Sequence, residues 1–233
     1  MIYITILFCV IFVFGILFFF KKKRKQQMHR IPPNLTEWDI KFMAYHEAGH
    51  AIVTWMLRYA SPLVKVTIVP RGKSLGAAWY MPEERQIVNS DQMMDEISAL
   101  LGGRAAEDVV FGKVSTGALN DLERVTKQAY AMVTYFGMSP ALGNVSYYDS
   151  TGQSEMSLGK PYSEKTAELI DSEVKKLIEK AHETAMRVLT ENREGFEKLA
   201  ARLLEREVVF SEDLEEIFGK SPYKSPTDMG VNM

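Results

Sequence analysis

Met43-Ala44-Tyr45-His46-Glu47-Ala48-Gly49-His50-Ala51-Ile52-Val53 is the stretch on which the reading of this 233-residue chain turns. It falls in a helix expected from about Trp38 to Tyr59. On a helix, side chains four positions apart are rotated by only about 40° around the axis. His46 and His50 therefore project from one face and can take adjacent corners of a zinc tetrahedron. Glu47 lies beside them, where its carboxylate can reach a metal-activated water, accept its proton and pass it to a leaving amine. Zinc lowers the pKa of water to about 7, which suits amide hydrolysis at neutral pH. A surface or core helix can carry two histidines at this spacing by coincidence. Here Met43, Ala44, Ala51, Ile52, Trp55 and Met56 make the helix apolar around the pair, which argues against two merely solvated imidazoles.

Two histidines need a third protein ligand, and Ala51 to Tyr59 contains none at the short spacing of HExxHxxGxxH enzymes. The only cysteine, Cys9, leaves no disulfide framework and no cysteine metal site, so any metal rests on histidines and carboxylates. His182, on the flank of an amphipathic helix, reads as structural. Glu107 and Asp121 are better placed. Ala118, Val125 and Met132, at −3, +4 and +11, put Asp121 on the inward side of its helix, where a carboxylate needs a partner. An exposed first-turn acid favoured by the helix dipole is the other reading of Asp121. The residues alone leave the two acids even.

Around this core the chain reads as mainly helical. Leu63 to Val69 and Ala77 to Met81 are β-rich runs separated by Pro70, Arg71, Gly72 and Lys73, which predicts a hairpin. Gly72-Lys73-Ser74 resembles part of a phosphate loop, but Thr67 stands where the first glycine is needed, so it reads as a turn. Further helices are expected over Asp91 to Val110, with Gly102 and Gly103 as the place to break, over Ala118 to Phe136 and over Ser163 to Thr190. Shorter ones follow around Gly195 to Glu205 and Ser211 to Phe218. A loop over Gly143 to Lys160 and a frayed tail from Ser221 complete the pattern.

The first twenty residues, Met1 to Phe20, contain no charged side chain and as a helix span roughly 30 Å, the thickness of a bilayer core. The bases follow the apolar run rather than precede it, so it reads as an uncleaved anchor and not a secretory signal. Lys21 to Lys25 place the C-terminal body on the cytoplasmic side, or in an equivalent organellar interior. Six of the 28 basic residues precede the first acid, Glu37, so residues 31 to 233 hold 22 bases against 30 acids. A net acidic body argues against binding a phosphate backbone, and nucleic acid is not an expected partner.

HEAGHAIV (46–53), VTIVPRG (66–72), LGGRAAED (101–108), STGALNDLERVT (115–126) and MVTYFGMS (132–139) occur in the order and spacing of the peptidase domain of FtsH-like membrane proteases, and SEKTAELIDSEV (163–174) extends the likeness. Most of Trp38 to Gly219 resembles that domain. The resemblance implies zinc held by His46, His50 and Asp121, with Glu47 as catalytic base and Glu107 as a supporting acid. It also implies polypeptide substrates, a bilayer, and either a hexamer of copies or association with an ATP-driven protease subunit. Only Lys21 to Glu37 separate the apolar run from the first soluble helix, too little for an ATP-driven unfolding module. The expected protein is thus a transmembrane anchor (1–20), a basic linker (21–37), a helical zincin-type metalloprotease domain with a small β-hairpin (38–219) and a flexible tail (220–233). It is expected to cut unfolded or flexible chains without unfolding them itself. The alternative is a non-catalytic, peptidase-like subunit or adaptor of a full-length ATP-dependent membrane protease.

Overall fold

Thr36 starts the first helix of the computed structural model, which describes residues 34–70, 76–81, 87–148 and 161–223. Its hydroxyl accepts the Asp39 N–H at 3.1 Å, and Asp39 Oδ2 accepts the Thr36 N–H at 2.8 Å, a reciprocal cap that satisfies two otherwise orphaned donors. Helix α1 runs Glu37–Met56, and every residue from Phe42 to Thr54 is buried. Over that stretch the helix is enclosed on all sides and is correspondingly apolar apart from His46, Glu47, His50 and Thr54. It packs against α2 (Ser90–Leu100), α3 (Gly102–Phe111), α5 (Glu164–Glu191) and α6 (Arg193–Arg206), and against the sheet. Burying a side chain such as Ile52, fully enclosed here, contributes roughly 1.5–3 kcal/mol.

The expected hairpin forms, but as part of a three-stranded antiparallel sheet. Strand β1 (Leu63–Thr67) is central, between β2 (Ala77–Tyr80) and β3 (Val208–Phe210). Val66 faces Ala78 on one side and Val209 on the other. The third strand corrects the hairpin reading. Three residues are too short to display a period of two, and the residue that launches β3 breaks a local rule: Glu207 closes α6 with φ 62°, a conformation glycine usually supplies. In that conformation its carbonyl accepts from Ile68 N and Thr67 Oγ1, each at 3.0 Å, which joins the end of α6 to β1.

Helix α4 (Leu119–Thr134) follows a 3₁₀ turn over Thr116–Ala118, and α7 (Ser211–Phe218) closes the domain. The 91–110 stretch breaks at Leu101 into α2 and α3, at the glycine pair. Ser221, expected in a free tail, instead donates to the Trp55 carbonyl at 3.0 Å, in the last turn of α1, where carbonyls lack intrahelical partners. The expected anchor, the basic linker up to residue 33, most of the hairpin turn and residues 224–233 lie outside the described residues. Among the described residues no helix is long and apolar enough to cross a membrane.

Candidate metal centre

The centre is built where α1 and α3 cross with their backbones nearly touching. A methyl group on Gly49 would meet the Gly102 carbonyl oxygen at 2.3 Å, and one on Gly102 would meet the Gly49 carbonyl oxygen at 2.7 Å. Only hydrogen fits between two chains at that distance. The third glycine is different in kind: a methyl on Gly103 would lie 2.5 Å from His46 Nε2 and 2.6 Å from His50 Nε2. It leaves open the space onto which both imidazoles point.

Each histidine is held from behind. His46 Nδ1 donates to Glu107 Oε1 at 2.8 Å, and His50 Nδ1 donates to the Ala99 carbonyl at 2.9 Å. Both acceptors lack a proton to give, so both rings carry hydrogen on Nδ1 and can offer a lone pair only from Nε2, once that nitrogen is free of a proton. The two Nε2 atoms face each other at 3.2 Å and lie 3.5 and 3.4 Å from Asp121 Oδ2. Two lone pairs and a carboxylate oxygen converging in a mostly buried space call for a cation, and these three residues fit a metal ion. Donor type supports the same conclusion, since imidazole nitrogen and carboxylate oxygen are ordinary zinc ligands.

The charges are tuned accordingly. Burial works against ionising Asp121, but hydrogen bonds and charge from His46 and His50 outweigh it and hold the carboxyl well below the usual range. Burial likewise opposes a charged His46, yet hydrogen bonds to Asp121 and Glu107 and the charge of Glu47 push its pKa up to about 9. Glu47, 8% exposed, has its pKa raised by burial, partly offset by the two histidines. Its carboxylate lies against Gly76, just before β2, where a methyl would fall 2.5 Å from Glu47 Oε1.

Of the residues singled out in the sequence, His46, Glu47, His50 and Asp121 come together. Glu107, 0% exposed, stands behind His46 rather than beside Asp121, and hydrogen bonds from His46 and Ser115 overcome its burial and keep its pKa low. His182 lies 3.2 Å from Asp108 Oδ2, apart from this group. Sequence reasoning missed Gly103, Ala99, Ser115 and Gly76. The Gly102-Gly103 pair is the visible signal for the crossing of α1 and α3, and a helix break accounts for only part of it.

Residues 34–217 match the family model described as peptidase family M41. Three relatives share the name ATP-dependent zinc metalloprotease FtsH. The chain is 64% identical over 190 residues to that of Parabacteroides distasonis, covering 82% of this chain and 28% of the relative. It is 56% identical over 177 residues to that of Karelsulcia muelleri, covering 76% and 28%. It is 53% identical over 185 residues to that of Rhodothermus marinus, covering 78% and 26%. The chain thus spans about a quarter of the length of these curated relatives. With a His-His-Asp cradle at the crossing of its helices and a match over most of its length, the chain belongs to peptidase family M41, the zinc metalloproteases.

Proposed function

We propose that this chain is a zinc metalloendopeptidase that hydrolyses peptide bonds in unfolded or flexible polypeptides, with His46, His50 and Asp121 as the metal ligands and Glu47 as the proton shuttle. The observation that carries the proposal is the convergence of two Nε2 lone pairs and Asp121 Oδ2 on one point, with both Nδ1 atoms already engaged. Zinc, when bound, supplies a Lewis acid that polarises the scissile carbonyl and makes water acidic enough to attack at neutral pH. Glu47 accepts the proton of the attacking water and returns it to the departing amine. Its burial raises its pKa toward the working pH, which helps it both take and give the proton.

Strand β2 begins beside Glu47 and has β1 on one side only among the described residues. An extended substrate can pair with its open edge and run past the base. Such pairing needs an unfolded stretch, which supports flexible chains as substrates. The proposal includes an anchor at residues 1–20 with the peptidase on the cytoplasmic side or in an equivalent organellar interior, supported by the apolar run and the bases at 21–25. Work to unfold a stable domain, about 5–15 kcal/mol, comes from outside the peptidase residues.

The test is metal analysis and casein cleavage by the full chain in detergent, with zinc and without nucleotide. Wild type is expected to hold one zinc and cleave. Asp121→Ala should lose most of the zinc, whereas Glu107→Ala should still hold one at saturating metal. The reverse order moves the third ligand to Glu107. Zinc-loaded wild type that cuts nothing yet co-purifies with an ATP-driven protease would replace the enzyme by the adaptor.

Zinc and a proton compete for His46, which predicts a pH dependence. Its pKa is raised from 6.5 to about 9, so protonation stabilises the metal-free fold fully below pH 6.5, and that contribution is lost as pH rises through 9. Zinc affinity should rise about tenfold per pH unit within that window. Accordingly, the melting-temperature difference between zinc-loaded and chelator-treated protein widens from pH 6.5 to 9. A constant difference means that His46 surrenders no proton to the metal.

A further inference from the structure

We infer that Ser115 is a positioning residue that keys the two halves of the zinc site to each other through Glu107. The inference rests on the proposed ligand set. His46 and His50 come from α1, while Asp121 comes from α4, separated from them by α2 and α3 in sequence. The two histidines are fixed by their own helix. Asp121 needs a separate device to hold it at 3.4–3.5 Å from both Nε2 atoms.

All three polar groups of Ser115 serve that device. Its N–H donates to Glu107 Oε2 at 2.7 Å, and its hydroxyl donates to Glu107 Oε1 at 3.0 Å. Its carbonyl accepts from Arg104 Nη2 at 3.1 Å, while Arg104 Nη1 donates to Glu107 Oε2 at 3.3 Å. The same hydroxyl accepts the Gly117 N–H at 3.0 Å and so caps the 3₁₀ turn over Thr116–Ala118. That turn runs directly into α4, whose third residue is Asp121. One oxygen of Glu107 therefore receives both the His46 ring and the Ser115 hydroxyl. Through that carboxylate, the orientation of a ligand on α1 and the starting point of the ligand helix α4 are set by one buried group.

Removing the hydroxyl takes a donor from a fully buried carboxylate and an acceptor from the turn, which loosens His46 and Asp121 together. Groups supporting a metal ligand in this way typically account for 10- to 100-fold in metal affinity. A serine that merely stabilised the fold would change the melting temperature without altering the geometry of the bound metal.

The experiment compares wild type, Ser115→Ala, Ser115→Thr and Ser139→Ala in the full chain. Ser139 makes a similar bond, to Glu173 Oε2 at 2.8 Å, with no link to the metal ligands. Zinc affinity is read by competition with a chromophoric chelator, and ligand geometry by the visible spectrum after loading with Co²⁺. Ser115→Ala should bind zinc 10- to 100-fold more weakly and shift the cobalt spectrum. Ser115→Thr, which keeps the hydroxyl, should recover affinity to within about threefold, and Ser139→Ala should match wild type in both readouts. If Ser115→Ala does not fold, Arg104→Lys, which loses the fork joining Glu107 to the Ser115 carbonyl, should show the same weakening and spectral shift. Unchanged affinity and spectrum in the folded Ser115 or Arg104 variant, or failure of Ser115→Thr to recover, overturns the inference. Failure of wild type to bind zinc, or full retention by Asp121→Ala, overturns the ligand assignment instead.

Discussion

Glu47→Gln is expected to retain one zinc per chain and to lower kcat by about 10² or more, the scale of removing a general base. Glutamine keeps the size of the side chain and its fit against Gly76, so the ligands need not move. What it loses, on the role proposed for Glu47, is the ability to take a proton from water and return it to the leaving amine. Metal content and steady-state cleavage of a fluorogenic peptide, measured on one preparation, decide the matter. Zinc lost together with activity gives Glu47 a structural role. Activity retained within a few-fold of wild type removes it from the chemistry.

An effect of comparable size is expected from a single methyl group. Gly103→Ala places a carbon 2.5 Å from His46 Nε2 and 2.6 Å from His50 Nε2, inside the distance at which unbonded carbon and nitrogen repel. The neighbours are the two rings proposed as ligands, whose far sides are pinned by Glu107 and Ala99, so neither can retreat without breaking a buried hydrogen bond. Zinc should fall from one per chain to a small fraction, and peptide cleavage should fall with it by at least about 10², as expected when the group that activates water is displaced. Elsewhere in a helix, alanine for glycine contributes roughly 0.5–1 kcal/mol of stability. Circular dichroism should therefore show a folded chain without its metal. A zinc-loaded, active Gly103→Ala protein means that the ligand rings have room to yield.

The legible part of the site was local. HEAGH places three functional groups on two helical turns, and the regular rotation of a helix fixes their relation without any tertiary information. Asp121 needed more: its apolar neighbours at −3, +4 and +11 pointed it inward, but inward is a direction and not a destination. Glu107 shared that ambiguity because a carboxylate bound to the outer nitrogen of His46 and one bound to the metal look alike in sequence. The sheet was legible to the extent that its turn was local. β3 joins β1 across some 140 positions, as in the Thr67 to Glu207 bond, and three residues of strand carry too little pattern to announce so distant a partner. Gly49, Gly102 and Gly103 were visible as glycines, yet their reason is a backbone crossing that exists only once the helices pack.

That long-range closure has a consequence for biosynthesis. The central strand β1 gains its second neighbour only when residues 208–210 have been made, and α1 gains its packing against α6 only with residues 193–206. At about 5–20 residues per second, roughly 10–30 s pass between synthesis of His50 and of Phe210. Throughout that interval β1, on which β2 and the adjoining Gly76 depend, lacks one of its two neighbours. A chain assembled in this order carries its histidines early and its finished cleft last, so the proposed cleavage has to wait for the residues of β3.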